Sequence, residues 1–176
     1  MSTVASRPRM YLELVRFSHT LFALPFALMA LFLAYAGAWP DLRVTALVLL
    51  CMVAARSSAM AYNRLVDRDI DAENPRTRGR HLPRGALAVH EVRLLVIATA
   101  AVFILGTWLL NTLAFALSVP VLLVLLGYSH TKRFTSASHF VLGAALGLSP
   151  LGVWVAARGL PVNVDYFIPA LLGLAV

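Results

Sequence analysis

The stretch LLVIATAAVFILGTWLLNTLAFALSVPVLLVLLGYSHT, Leu94 to Thr131, runs for 38 residues without a formal charge. A bilayer-spanning helix needs about 20 mainly apolar residues, with roughly 17–25 tolerated. The stretch is too long for one crossing and predicts two, divided by a tight turn at Asn111-Thr112.

Working outward, comparable runs occur at Phe17 to Trp39, at Val44 to Asn63 with only Arg56 interrupting, and at Phe134 to Ala157. The expected spans are therefore 17–39, 44–63, 94–110, 112–130 and 136–157. A sixth, 166–176, is partial, because the ten residues from Phe167 to Val176 reach only about 15 Å as a helix. The first run follows Arg7 and Arg9 and contains Ala34-Tyr35-Ala36, like a signal peptide. A signal core is only about 7–15 residues, so the run reads as a transmembrane helix. The fold class is all-α: a polytopic transmembrane helical bundle of about five complete spans plus a partial sixth, in one domain. Pro25, Pro120 and Pro150 fall inside spans and predict local kinks.

Composition agrees. Of 176 residues, 60% are apolar and 13% charged, with a mean hydropathy of +0.81, whereas soluble domains carry about 45–50% and roughly 25%. The net charge of +7 rests on 15 basic residues, 14 of them Arg, lying between apolar runs. That placement argues against a nucleic-acid partner and for membrane topology, anionic headgroups or phosphates. With the N terminus inside, the inner segments hold Arg7, Arg9, Arg16, the seven arginines from Arg64 to Arg93, Lys132 and Arg133, against Arg43 and Arg158 outside. The expected location is an inner (plasma) membrane with the N terminus and the charged loops cytoplasmic. The lone Cys51 lies in an apolar run and reads as packing, leaving no disulfide or cysteine metal site.

Ten of the 23 charged residues fall between Asn63 and Arg84. This segment opens with Asn63-Arg-Leu-Val-Asp67-Arg-Asp-Ile-Asp71 at the inner end of the second span. Positions i, i+4 and i+8 drift by only about 40° per step on a helix, so Asn63, Asp67 and Asp71 stack on one face. Arg56 extends that face one level deeper. Asp67 above Asp71 is a repelling i, i+4 pair that needs a compensating cation. Oxygen donors with no Cys or His on the stripe suit a hard ion, and sparse carboxylates suit Mg2+, which keeps waters and bridges to phosphates. The competing reading is a solvated helix end with its acids paired to Arg64, Arg68 or Arg76; the continuity of the stripe with a membrane span favours function. Asp69 falls about 200° away and faces elsewhere.

Pro75, Gly79, Pro83 and Gly85 then alternate with Arg76, Arg78, Arg80, His81 and Arg84, which predicts an ordered loop. Its guanidinium groups suit either a diphosphate or lipid headgroups. Tyr128, Lys132 and Arg133 form a second polar cluster at the inner end of the fourth span. They read either as phosphate ligands or as topological and interfacial anchors. The five histidines show no metal spacing. A transporter for phosphate-like anions competes, but the spans beyond Arg93 carry no core charge to line a path.

The segments Asn63 to Asp71, Pro75-Arg-Thr77-Arg-Gly-Arg80 and Leu82-Pro-x-Gly85 resemble the first aspartate-rich motif and adjoining loop of UbiA-type intramembrane prenyltransferases. Tyr128-x-x-x-Lys132-Arg133-Phe134-Thr135 is similar to that family's second-loop motif, and Gly143 to Trp154 with Ala156 resembles its fifth helix. The likeness covers nearly all of the chain. It implies a helical bundle open laterally to lipid, Mg2+ dependence, and transfer of a prenyl chain from polyprenyl diphosphate to a small aromatic acceptor. A 4-hydroxybenzoate-type precursor of ubiquinone or menaquinone is the expected acceptor. It further implies that Asn63, Asp67 and Asp71 hold the metal, and that Arg64, Arg76, Arg80, Tyr128, Lys132 and Arg133 serve the diphosphate. Arg56 either orients an acceptor carboxylate or counterbalances the two aspartates. Family members have nine spans and a second aspartate-rich motif after the sixth, so the chain is expected to be the N-terminal part of such a protein. Phe17-Ser-His-Thr-Leu-Phe-Ala-Leu-Pro25 looks more like the menaquinone-precursor branch or its hydroxybenzoate-type relatives.

Overall fold

The computed structural model describes residues 6–131, 149–161 and 169. Among them the order is α1 (Arg7–Leu14), α2 (Phe17–Ala34), α3 (Leu42–Val66), α4 (Arg68–Glu73), α5 (Val89–Leu110) and α6 (Thr112–Thr131), followed by helical residues at 149–158. Helices α3, α5 and α6 are long and apolar enough to cross a membrane, and α2 contributes the shorter apolar stretch Leu24–Ala34. The protein is an all-α membrane bundle.

The boundaries follow local chemistry. Helix α2 stops at Ala34, five residues short of the expected 39, because Ala36 and Gly37 both turn to positive φ (53° and 83°). The Gly37 N–H then bonds to Phe32 O and the Ala36 N–H to Leu33 O, a Schellman ending that satisfies the last carbonyls. Helix α3 starts two residues earlier than expected, where the Asp41 carboxylate accepts from the Val44 N–H at 3.1 Å. Helix α5 starts at Val89 rather than 94, since Glu91 reaches back to the Ala88 N–H at 2.8 Å. The division at Asn111 occurs as expected: its backbone is extended, and its side chain accepts from the Ala114 N–H to start α6. Helices α2 and α6 continue through Pro25 and Pro120. Of the expected fifth span, 136–157, the described part from 149 is helical; the sixth, 166–176, lies outside the described residues except 169.

Packing centres on α3 and α5. Helix α3 presents small side chains, Cys51, Ala54, Ser57, Ser58 and Ala61, all buried, which lets the backbones approach as helices in lipid require. The Ser58 hydroxyl donates to Val96 O at 3.3 Å. A Cβ at Gly106 would lie 2.6 Å from Cys51 Sγ, so a larger residue there forces the thiol or the helices to shift. Phe26, Met29, Leu94, Ile97, Leu105 and Trp108 face outward, as expected where the surroundings are lipid rather than water.

The two ends of the bundle differ. One end joins Arg43 to Leu109 O (3.3 Å), Asn111 to Val155 O and Ala156 O (2.9 and 3.0 Å), and Arg158 to Ala34 O (2.7 Å). The other gathers α1, the end of α3, α4, the loop before α5 and the end of α6. There Leu14 and Val15 pack with Ala61, Leu82, Leu87, Val92 and Val96, so α1 lies against both the loop and α5. The Arg7–Glu91 ion pair and the Glu13–His81 hydrogen bond fasten it. Arg7, Arg9 and Arg16 read from sequence as topological flanking, whereas the apolar side of α1, through Leu14 and Val15, makes residues 7–16 part of the folded end.

Candidate active site

The Asn63, Asp67, Asp71 stripe bends without unwinding. Asp67 stands between α3 and α4, yet its N–H still bonds to Asn63 O at 3.0 Å and the Asp71 N–H to Asp67 O at 2.8 Å. Helical winding therefore keeps the three residues on successive turns of one face. Asp67 is 8% exposed and Asp71 6%. The Asp69 side chain, by contrast, is 82% exposed and pairs with Arg68 at the surface, in line with its place on the opposite side of the wheel.

Each element brings something to the stripe. From α6, Ser129 Oγ accepts from Asn63 Nδ2 at 3.4 Å, and His130 Nε2 lies 2.9 Å from the Tyr62 hydroxyl. The half-buried Tyr128 is therefore on the turn that meets α3, level with the stripe. From the loop, Arg80 Nη1 donates to both Asp71 oxygens at 2.7 and 2.6 Å. The Thr77 hydroxyl donates to Asp71 O at 3.0 Å, and a series of turns from Asn74 to Leu87 holds the loop in order. The hydrogen-bonded charge partner of Asp71 is thus Arg80, nine residues on, rather than Arg68 or Arg76 of the competing sequence reading. Arg64 is half-buried within electrostatic reach of Asp71, Asp67, Arg80 and Arg16. Arg76 is exposed, with its backbone N–H bonded to the Asn74 side chain.

A cavity of about 190 Å³ opens beside the stripe, lined by Glu13, Leu14, Arg16, Arg64, Asp71, Arg80, His81, Leu82 and Pro83. Glu13 and Arg16 were not singled out from the sequence. The signal available was the amphipathic run just ahead of the first apolar helix. Deeper in α3, Arg56 Nε is buried with no hydrogen-bond partner among the described residues, an arrangement that costs free energy unless a ligand completes it. Lys132 and Arg133 lie outside the described residues.

The donor set fits a hard divalent cation: one amide and two buried carboxylates on successive turns, with no soft ligand on the stripe. Among the described residues no three His, Cys, Asp or Glu side chains group as a metal site. The amide and a ligand's oxygens would complete the shell, as is usual for Mg2+.

An all-α membrane bundle in which an oxygen-donor stripe meets an arginine-lined cavity at one end defines an integral membrane protein with a candidate site at the end of its helices. The chain belongs to the UbiA prenyltransferase family, whose model matches residues 23–176. It is 35% identical over 162 residues to 4-hydroxybenzoate octaprenyltransferase of Aromatoleum aromaticum, covering 90% of this chain and 54% of that one. It is 36% identical over 153 residues to the protein of the same name from Shewanella sediminis, covering 85% and 53%. The chain thus spans about half the length of these curated relatives. Among solved structures, the apo UbiA homolog of Aeropyrum pernix superposes with a TM-score of 0.80 at 37% identity, over 90% of this chain and 58% of that one. A UbiA homolog of Archaeoglobus fulgidus, solved with GPP and Mg2+, shares the fold with a TM-score of 0.70 at 23% identity, over 94% and 60%.

Proposed function

We propose that the protein carrying this chain transfers a polyprenyl group from polyprenyl diphosphate to a small aromatic acceptor of the 4-hydroxybenzoate type, in quinone biosynthesis, with Mg2+ at Asn63, Asp67 and Asp71. The observation that carries the reading is the burial of Asp67 and Asp71 on one helical face beside an arginine-lined cavity, at the polar end of a membrane bundle. The names of the curated relatives support the acceptor class, and the Archaeoglobus protein accommodates a prenyl diphosphate with Mg2+ in the same fold. Residues 1–176 form the N-terminal part of a single transmembrane domain in this reading, in an inner membrane with the polar end cytoplasmic.

The location suits the substrate. Each buried methylene contributes about 0.8 kcal/mol, so a polyprenyl tail stays in lipid while its diphosphate stays at the surface. Mg2+, when bound, neutralises the leaving diphosphate. Arg64, Arg76, Arg80, Lys132 and Arg133 take its remaining charge, and Tyr128 flanks it. The allylic C–O bond breaks with its electron pair leaving on the diphosphate. The acceptor ring, its carboxylate oriented by Arg56, attacks the allylic cation through carbon and then sheds the proton at that carbon.

The test is turnover of radiolabelled polyprenyl diphosphate and 4-hydroxybenzoate in lipid nanodiscs with Mg2+. Prenylated acceptor that disappears in Asp67→Ala is the expected result. Binding of the diphosphate without product would point to a binding role, and no binding would overturn the reading.

A further inference from the structure

Between Asp71 and any metal stands Arg80. One guanidinium nitrogen covers both oxygens of a buried carboxylate, and a second cation drawn to the same oxygens meets like-charge repulsion at close range. The turn that carries Arg80 is itself anchored to Asp71 through Thr77. This contact alone would make Arg80 a structural ion pair.

The other side of Arg80 suggests more. Its side chain borders the 190 Å³ cavity together with Arg16 and Arg64, and the Arg64 guanidinium lies within repelling reach of both Arg80 and Arg16. Of the acids there, Glu13 is already bonded to Arg9 and His81, and Asp71 to Arg80 itself. Arg16 holds the left-handed conformation (φ 49°, ψ 54°) at the joint between α1 and α2, a backbone geometry uncommon for residues other than glycine and one that marks a constrained position. The cavity is roomy enough for a phosphate group, since a water occupies about 30 Å³ of liquid. Guanidinium groups match phosphate oxygens in charge and geometry.

We propose that Arg80 is an exchangeable counter-cation, bonded to Asp71 while the metal is away and transferred to a phosphate oxygen in the Arg16–Arg64 cavity when a divalent cation takes Asp71. The inference rests on the reading of the stripe as a metal site. The phosphate is the diphosphate of the prenyl substrate. Its consequence is positive coupling: each of the metal and the diphosphate binds weakly alone and strengthens the other by the same factor.

The test measures Mn2+ binding by electron paramagnetic resonance on the full chain in phospholipid-free detergent micelles, which removes headgroup phosphate. Arg80→Gln is expected to bind Mn2+ alone about tenfold more tightly than wild type, the scale of one charge-assisted hydrogen bond. That advantage should vanish once a non-hydrolysable prenyl thiolodiphosphate is added. Arg80→Lys, which keeps the charge, should stay close to wild type without the analogue. An Arg80→Gln protein that binds Mn2+ alone no more tightly than wild type overturns the proposal. A wild-type measurement guards against misfolding of the variants: labelling of Arg80 by phenylglyoxal should rise severalfold with Mg2+ alone and fall when the analogue is added. Labelling indifferent to both overturns the exchange. Failure of wild type to bind Mn2+ even with the analogue would instead remove the metal-site reading itself.

Discussion

Glu13 Oε2 and His81 Nε2 lie 3.0 Å apart, tying the helix that precedes the first apolar helix to the arginine loop. Glu13 Oε1 also accepts from Arg9 Nε at 2.8 Å. The hydrogen bond from Arg9, and secondarily the one with His81, holds the Glu13 carboxyl below its ordinary value of 4.5.

That depression sets a pH dependence. A carboxyl whose pKa is lowered on folding stabilises the fold fully above its unfolded value and loses that contribution as pH falls through its folded one. The Glu13 contribution to docking of α1 should therefore be lost as pH falls below 4.5. Amide exchange of residues 7–15, corrected for intrinsic rate, is the readout, and Glu13→Gln should reduce the acid-dependent step, with the remainder coming from Glu91 paired to Arg7.

Gly106 and Cys51 set a steric limit. A Cβ at 2.6 Å from sulfur forces α5 away from α3 or the thiol out of its place. Gly106→Ala is expected to destabilise the bundle by about 1–3 kcal/mol, read by denaturation in mixed micelles. Cys51→Ala combined with Gly106→Ala should recover most of the loss. Equal loss in the single and double variants would show that the contact is not with the thiol.

Asn111 serves two elements at the opposite end, capping α6 and donating to Val155 O and Ala156 O. Asn111→Ala should cost about 1–2 kcal/mol of stability. Diphosphate binding per folded molecule should not change, because the site lies at the other end of the helices.

Arg56 separates two roles by kinetics. If it orients the acceptor, Arg56→Leu raises the KM for the aromatic acceptor by about 10- to 100-fold, the loss of one charged hydrogen bond, and leaves the KM for prenyl diphosphate near wild type. If it counterbalances the aspartates, Mg2+ dependence shifts instead. The buried Nε, without a hydrogen-bond partner among the described residues, favours the first outcome.

Asp67 and Asp69 are chemically alike and two residues apart, but one is buried on the stripe and the other exposed with Arg68. Asp67→Asn is expected to lower turnover by about 10²-fold or more, in the range for loss of a group that stabilises transition-state charge. Asp69→Asn should change it by less than about twofold, as surface substitutions usually do.

Periodicity alone was enough to read the membrane bundle, the division of Leu94 to Thr131 at Asn111, and the stacking of Asn63, Asp67 and Asp71. These are local properties: the length of an apolar run and a 3.6-residue repeat are visible within a few turns of chain. The placement of Asp69 off the stripe was legible for the same reason. Helix ends were less so, because Ala36 and Gly37 stop α2 inside an apolar run that composition carries on to Trp39.

The partners of the stripe depended on the tertiary structure. Arg80 rather than its nearer neighbours meets Asp71, Ser129 meets Asn63, and Glu13 with Arg16 walls the cavity, each choice made by contacts between distant segments. Guanidinium groups in one loop are interchangeable by residue type, and only the anchored turn from Thr77 to Asp71 selects among them. The sequence by itself determined where the chain enters lipid and which side chains share a helical face. Which charges neutralise which was decided by packing, since an ion pair depends on distance in space and burial rather than on separation along the chain.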